Sequence, residues 1–167
     1  MIKYKNKLLN VIEKIRMDDI EDISNWIKGF ERIYVIGNGG SQATAEHFVV
    51  DLLKYGNKKA YSIGSSSLIT MAGNDFGYNH SFYWILNKYI ADSDLVFAIS
   101  TSGMSENIIR AISNNFKKTF LLTGLKGKSS IDLVDKGYVI QSDNIQIVED
   151  VSLIICHMIA LCTGGKI

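Results

Sequence analysis

The segment DLVFAISTSGMSENIIRAI (residues 94–112) decides the fold, because it joins an apolar run to a helical pattern through a loop of small polar residues. The run at 95–99 is continuously hydrophobic, which is typical of a strand covered on both faces. A helical pattern follows over 106–117. A strand that leads directly into a helix indicates a βαβ unit and therefore a parallel sheet.

The rest of the chain repeats this alternation. A strand at 32–36 continues through the glycine-rich loop 37–41 into a helix at 42–55. The turn-rich segment 73–77 is expected to separate two helices. Further strands are predicted at 60–63, 119–122 and 138–140, and further helices at 68–72, 81–90, 130–134 and 146–161, with one or two amphipathic helices up to residue 28. We expect an α/β fold, a single doubly wound five-stranded parallel sheet in a three-layer α/β/α sandwich of flavodoxin-like type.

Length and composition favour one globular domain over residues 1–167, with an N-terminal helical region (1–30) and the α/β sandwich (31–167). Lys plus Arg number 18 and Asp plus Glu number 17. This near balance provides no overall field for nucleic acid or an anionic membrane, so anion binding has to come from local geometry. We expect neither nucleic acid nor membrane as a partner.

No signal peptide and no segment long enough to span a bilayer are expected. The two cysteines, Cys156 and Cys162, lie six residues apart in one apolar helical run and point in different directions. They are interpreted as buried, unpaired thiols in a reducing compartment. The expected location is the cytoplasm.

The loop Ser100-Thr101-Ser102-Gly103-Met104-Ser105 has the composition of a phosphate site. Its glycine allows a tight turn, its hydroxyls donate to anionic oxygens, and the helix that follows offers free N–H groups. The alternative is a polar loop with an N-cap serine. The second loop, where Ser41 follows three glycines and an asparagine, favours the phosphate site, although it lacks a dinucleotide fingerprint and a P-loop lysine.

Two pairs of side chains are candidates for chemistry. His47 and Asp51 are four residues apart on one helix, and Glu149 and His157 are eight apart on another, so each pair is close to one face. Nitrogen and oxygen ligands of this kind suit a divalent metal, with zinc the first choice. The same groups could serve as general base and acid without metal, and His157 could instead be a core histidine. His80 is expected at the surface or at an interface.

Taken together, these motifs resemble the SIS (sugar isomerase) domain family, and within it the phosphoheptose isomerases. The resemblance rests on a combination of stretches that occur in the family's order and cover most of the chain from Tyr34 onwards. They are GNGGSQATAEHF (37–48), AGNDFGYNHSF (72–82), DLVFAISTSGMSENIIRAI (94–112), FLLTG (120–124) and the terminal helix with His157.

The resemblance implies a set of roles for matching residues. His47, Asp51 and His157 are expected to bind zinc together with Glu149, which falls on the family's glutamine, and Asp51 and His157 are expected to act as the catalytic acid and base. It also implies a homotetramer with active sites shared between subunits. The expected substrate- and phosphate-binding residues are Asn38, Gly39, Ser41, Asp75, Ser100, Thr101, Ser102 and Ser105.

Three departures from the family pattern stand out. Asp51 replaces a glutamate and is one methylene shorter. Glu149 replaces the glutamine, although Gln146 is the counterpart if the helix register slips. The N-terminal helical region is short for the family, which affects the oligomer contact it provides.

The expected activity is aldose–ketose isomerisation of sedoheptulose 7-phosphate to D-glycero-D-manno-heptose 7-phosphate through an enediol, for lipopolysaccharide or capsule synthesis. One alternative is isomerisation of another phosphosugar. The other is a non-catalytic SIS module that binds a phosphosugar and has a regulatory role.

Overall fold

The computed structural model describes residues 2–113 and 118–166, so the end of the helix predicted at 106–117 lies outside the described residues. Helices and strands alternate as the sequence predicts. The α-helices are α1 (Ile2–Ile12), α2 (Met17–Lys28), α3 (Gly40–Lys54), α4 (Ser66–Phe76), α5 (Ser81–Leu86), α6 (Glu106–Ser113) and α7 (Ile145–Thr163). The strands are β1 (Arg32–Gly37), β2 (Lys59–Ser62), β3 (Leu95–Ser100), β4 (Thr119–Gly124) and β5 (Lys136–Ile140), and the 3-10 helices are Tyr78–His80 and Leu125–Leu133.

The five strands form one parallel sheet in the order β2-β1-β3-β4-β5. This order confirms the doubly wound, flavodoxin-like prediction. The chain leaves β1 towards one side of the sheet and β3 towards the other, so a crevice opens between the carboxyl ends of these two neighbours. Gly37 of β1 lies opposite Ile99 of β3, which brings the two small-residue loops together at that crevice.

Alternate residues of each strand enter two separate cores, one on each face of the sheet. Val35 and Phe97 belong to the core covered by α2, α3 and α7, and α1 contributes to it as well. Ile36 and Ala98 belong to the core covered by α4, α5 and α6. The molecule therefore has the three layers expected, and its central strands are buried on both faces.

The segment 73–77 differs from the prediction of a turn. Helix α4 continues through Gly73 and Asp75 to Phe76, and it ends at Gly77, whose φ is +84°. Glycine and asparagine disfavour a helix only weakly. The burial of Ala72 and the packing of Leu68 in the second core outweigh that local preference.

Helix α7 also differs from expectation. With 19 residues and a mean hydropathy of 1.8, it is, among the described residues, long and apolar enough to cross a membrane by length and composition alone. The expectation that no segment reaches that length was therefore wrong, because the helix extends beyond the predicted 146–161. In the fold, Ile155 and Ile159 are fully buried in the first core, where α7 packs on α2 and α3. A buried core helix meets the same criterion, so the length carries no argument for a membrane.

Three aromatic rings connect α3 to the two central strands. The ring centroid of Phe97 lies 4.5 Å from that of Phe120 and 5.0 Å from that of Phe48. We predict that Phe97→Ala lowers the free energy of unfolding by about 3–5 kcal/mol, because it removes buried surface and leaves a cavity. Urea denaturation measures this change. The exposed Leu133→Ala is the control, with a change below about 0.5 kcal/mol; equal effects of the two variants would contradict this packing.

Candidate active site

The loop between β1 and α3 is built for close packing. A Cβ on Gly37 would come within 2.6 Å of the Ser41 carbonyl group, and Gly39 has a φ of +55°. The buried Ser41 lies in the first turn of α3, and its backbone N–H donates to the carbonyl oxygen of Asn38 at 3.0 Å. Because α3 begins at Gly40, its positive dipole end lies at the crevice.

The loop between β3 and α6 is held by its own hydroxyls and by neighbouring backbone. The Ser100 Oγ accepts from the Gly103 N–H, and the Ser102 Oγ accepts from the Met104 N–H, each at 3.2 Å. The Thr101 carbonyl oxygen accepts from the Gly124 N–H, also at 3.2 Å. The loop is therefore fixed in shape, and its remaining hydroxyl hydrogens, together with half-buried Ser105, stay available to a ligand.

Gly103 is required at the centre of this loop. Its φ is +61°, and a Cβ there would lie 2.6 Å from the Cα of Gly127. The Ser130 hydroxyl donates to the Gly103 carbonyl oxygen at 2.7 Å. The 3-10 helix Leu125–Leu133, which follows β4, therefore packs against this loop at Gly103.

Two side chains that sequence reasoning missed connect the loops. The amides of Asn38 and Asn107 exchange two hydrogen bonds, at 2.8 and 2.9 Å, and the Tyr78 hydroxyl donates to the Asn38 Oδ1 at 2.9 Å. Asn107 lies in the quoted 94–112 motif and Tyr78 in the 72–82 motif. Their shared contact was invisible because it joins residues far apart in the chain.

A second group of polar side chains lies between α3 and α7. The Nε2 atoms of His47 and His157 are 3.1 Å apart, and the Asp51 Oδ2 lies 3.5 Å from the first and 3.4 Å from the second. The predicted shared face of His47 and Asp51 is confirmed, and His157 joins them from the other helix. Three such ligand atoms, within 4.8 Å of one another, could hold a metal ion.

The environment of Asp51 fits a cation at this position. Its side chain is 7% exposed, and the buried Oδ2 has no hydrogen-bond partner among the described residues. A buried carboxylate oxygen without a hydrogen-bond donor is costly unless a positive charge compensates it. The group opens into a cavity of about 340 Å³, lined by His47, Asp51, Tyr55, His157 and Leu161, which leaves room for a ligand beside the three atoms.

Cys156 precedes His157 but belongs to the core. It is a free, fully buried thiol. Burial raises the pKa of this thiol far above its usual value, and the negative charge of Asp51 raises the pKa further. Cys156 is therefore part of the packed first core, as the sequence predicts for a buried, unpaired thiol.

Glu149 is placed apart from the two histidines. A Cβ on Gly40 would meet its Oε1 at 2.6 Å, so the Glu149 carboxylate lies against the start of α3, where the helix dipole favours a negative charge. Eight residues along α7 separate it from His157, roughly 12 Å at 1.5 Å per residue. Gln146, the alternative, is exposed one turn nearer the start of α7.

The remaining predicted residues lie at the surface. Asp75 is exposed on α4 and accepts a hydrogen bond from Asn74 at 2.8 Å, so its role at the sugar site stays a prediction. His80 is exposed as expected, and its Nε2 lies 3.1 Å from the Arg110 Nη1.

Comparison with known proteins identifies the family. A model described as SIS domain matches residues 3–119. The chain belongs to the SIS domain family. The "Probable phosphoheptose isomerase" of Thermoplasma acidophilum is 31% identical over 164 residues, covering 93% of this chain and 90% of the relative. The "Phosphoheptose isomerase" of Sulfurimonas denitrificans is 33% identical over 170 residues, covering 93% and 83%.

Solved structures confirm the fold of this SIS domain. Phosphoheptose isomerase from Neisseria gonorrhoeae superposes with a TM-score of 0.89 at 23% identity, covering 97% of this chain and 96% of that one. The phosphoheptose isomerase of Francisella tularensis gives a TM-score of 0.88 at 24% identity, covering 98% and 96%. The chain therefore shares its α/β sandwich with both of these proteins.

We predict that the group of His47, Asp51 and His157 binds a divalent transition metal. In a titration with Co²⁺ followed by absorbance, Asp51→Asn and His157→Ala should each weaken binding by more than about tenfold, the scale on which even an outer-shell partner acts. His80→Ala is the matched control and should bind like the unaltered protein. Unchanged Co²⁺ affinity in Asp51→Asn would contradict the site.

Proposed function

We propose that this protein is a phosphosugar aldose–ketose isomerase that converts sedoheptulose 7-phosphate to D-glycero-D-manno-heptose 7-phosphate. The observation that carries the proposal is the position of the buried Asp51 carboxylate, which lies between two histidine nitrogens and lines a cavity. The same chain has two small-residue loops, 37–41 and 100–105, at one crevice. It is supported by curated relatives named phosphoheptose isomerase that match nearly the whole chain.

The two loops are proposed to hold the substrate's phosphate end. Ser41 and the hydroxyls of the loop 100–105 line the crevice where two helices begin, and α3 and α6 both present N-terminal N–H groups there. Hydroxyl and N–H donors together bind a phosphate dianion without a lysine. Asn38, Gly39 and Asp75 are proposed to line the adjoining sugar site.

Asp51 and His157 are the proposed proton-transfer residues. One removes a proton from C1 of the ketose while O2 gains a proton, which gives the enediol. A proton then returns to C2, and O1 loses its hydroxyl proton, which leaves the aldose. The two groups lie 3.4 Å apart at one cavity, so both can face the same substrate carbons, and the loops are proposed to supply orientation.

Zinc is the metal proposed for His47, Asp51 and His157, since two imidazole nitrogens and one carboxylate oxygen with an open position are a zinc donor set. When bound, it would polarise the carbonyl and stabilise the negative charge of the enediolate. Glu149 remains a proposed fourth ligand. Because its carboxylate contacts Gly40 of its own chain, that role requires a second subunit.

We propose that the protein is a homotetramer with shared active sites, and the spacing along α3 supports the sharing. Along α3, Ser41 is separated from Asp51 by ten residues, roughly 15 Å, so one chain holds the phosphate loops and the proposed acid–base pair far apart. Val50 and Leu53, next to the histidine group, are more than half exposed. An apolar patch beside a polar site suits a subunit contact. We also propose that the enzyme is cytoplasmic and that it binds neither nucleic acid nor a membrane.

We predict that the purified protein isomerises sedoheptulose 7-phosphate when loaded with zinc and loses turnover on chelation. In D₂O the reaction should introduce solvent deuterium at C2 of the product. Asp51→Asn should reduce kcat by at least about a hundredfold, because it removes a proton-transfer group. Saturable binding of the phosphosugar without turnover or deuterium exchange would contradict the isomerase and favour a non-catalytic phosphosugar-binding module. Turnover of a different phosphosugar, and not of sedoheptulose 7-phosphate, would contradict the proposed substrate only.

We also predict that the exposed apolar face of α3 is buried in the assembly. Leu53→Asp combined with Val50→Asp should convert the tetramer to smaller species in light scattering and reduce turnover with them, because a charge is placed in an apolar contact. Leu133→Asp, at a similarly exposed leucine elsewhere, is the control. A wild-type monomer with full turnover would contradict the shared site.

A further inference from the structure

The amide pair of Asn38 and Asn107 connects the ends of the two strands at the crevice. The Asn38 Nδ2 donates to the Asn107 Oδ1 at 2.8 Å, and the Asn107 Nδ2 donates to the Asn38 Oδ1 at 2.9 Å. Taken alone, such a pair is satisfied equally well if both amides rotate by half a turn. A further contact has to decide between the two orientations.

The backbone of α6 makes that decision. The Ile108 N–H donates to the Asn107 Oδ1 at 3.0 Å, and a backbone N–H can only donate. The Asn107 oxygen must therefore face the backbone of α6 and the Asn38 Nδ2, which fixes the Asn38 oxygen on the opposite side of the pair. A phenol can donate or accept, so the Tyr78 hydroxyl follows this orientation and donates to the Asn38 Oδ1 at 2.9 Å.

The hydrogen bonds of the Asn38 side chain determine which of its donors and acceptors remain for a ligand. Its Oδ1 accepts two hydrogen bonds, from Asn107 and Tyr78, and one hydrogen of its Nδ2 is used by Asn107. The second Nδ2 hydrogen has no partner in the part of the chain that the structure describes. Asn38 can therefore offer a ligand a donor, and it has no free acceptor.

The segment that carries Tyr78 is attached to α6 by its next two residues. The Asn79 side chain donates to the Glu106 carboxylate, and His80 contacts Arg110. All of these contacts lie at the surface, and Tyr78 itself is 53% exposed. The short segment 78–80 therefore places the Tyr78 hydroxyl at the crevice, and the phenol ring is not part of a core.

We propose that Asn107 and Tyr78 are positioning residues that orient the Asn38 amide so that its free N–H donates to an oxygen of the sugar chain of the substrate. This inference rests on the proposed function, because it takes the crevice as the phosphosugar site. The free N–H of Asn38 then contributes to substrate specificity, because it favours a sugar oxygen that accepts a hydrogen bond at this position. Other groups bind the phosphate.

The test compares Tyr78→Phe with the control Tyr61→Phe, an exposed tyrosine of similar accessibility on β2. Calorimetry measures binding of sedoheptulose 7-phosphate and of inorganic phosphate to the intact protein. Tyr78→Phe should weaken sugar phosphate binding about two- to tenfold, the effect of one neutral hydrogen bond, and leave inorganic phosphate binding unchanged. Tyr61→Phe should change neither.

The same substitution in an Asn38→Ala background separates positioning from direct contact. If Tyr78 acts through Asn38, Tyr78→Phe has no further effect in that background. An equal loss in both backgrounds, or a parallel loss of inorganic phosphate binding, would overturn the inference. If the wild-type protein binds the phosphosugar without turning it over, that result contradicts only the proposed isomerase activity. The binding comparison of the Tyr78 and Asn38 variants still tests the inference.

A readout without ligand tests the contact itself. The side-chain NH₂ signals of Asn38, identified by their loss in Asn38→Ala, should shift and exchange faster with solvent in Tyr78→Phe and in Asn107→Asp, which keeps the Oδ1 acceptor of residue 107 and replaces its NH₂ donor with a second carboxylate oxygen. Tyr61→Phe should leave these signals in place. Unchanged Asn38 signals in Tyr78→Phe would overturn the inference even if no phosphosugar binds.

Discussion

The parallel pairing of β1 with β3 is the constraint on which the rest of the site depends. Because the register places Gly37 opposite Ile99, both strands end at the same level and release their loops into one crevice. The chain then turns to opposite sides of the sheet, which prevents either helix from covering the gap. The amide of Asn38, in the first loop, reaches Asn107, in the helix that follows the second loop, because the two strands share this register.

Helix α3 transmits this arrangement to the second half of the site. It begins with the glycine-rich loop and carries His47 and Asp51 on a face that meets α7. A helix is rigid over this length, so the spacing between the small-residue loop at the start of α3 and the group of His47, Asp51 and His157 is fixed at roughly 1.5 Å per residue. Neither group reaches the other within one chain, which is why the exposed apolar residues beside the histidines matter for the proposed assembly.

Asp51 is the point where stability and function conflict. A buried carboxylate oxygen without a donor destabilises the fold unless a positive charge compensates it, and two imidazole nitrogens within 3.5 Å direct that compensation to one position. The loops show the opposite arrangement, since their hydroxyls are already held by backbone N–H groups and keep a fixed shape without ligand. The group of His47, Asp51 and His157 therefore suits a cation, and the fixed shape of the loop 100–105 suits the phosphate binding that we propose for it.

The sequence by itself determined the features that repeat locally. The alternation of strands and helices, the two loops and the shared face of His47 and Asp51 all follow from periodicity and residue type over short stretches. The family resemblance had implied that His157 meets His47, and the packing of α3 on α7 brings them together. Tertiary structure alone decided that Asn107 and Tyr78 meet Asn38 and that Glu149 lies against Gly40 instead of the histidines. It also carried α4 through 73–77 against its local turn preference, because burial of Ala72 outweighs propensity. Contacts between residues far apart in the chain depend on how helices pack across a sheet, and no single stretch of sequence encodes that packing.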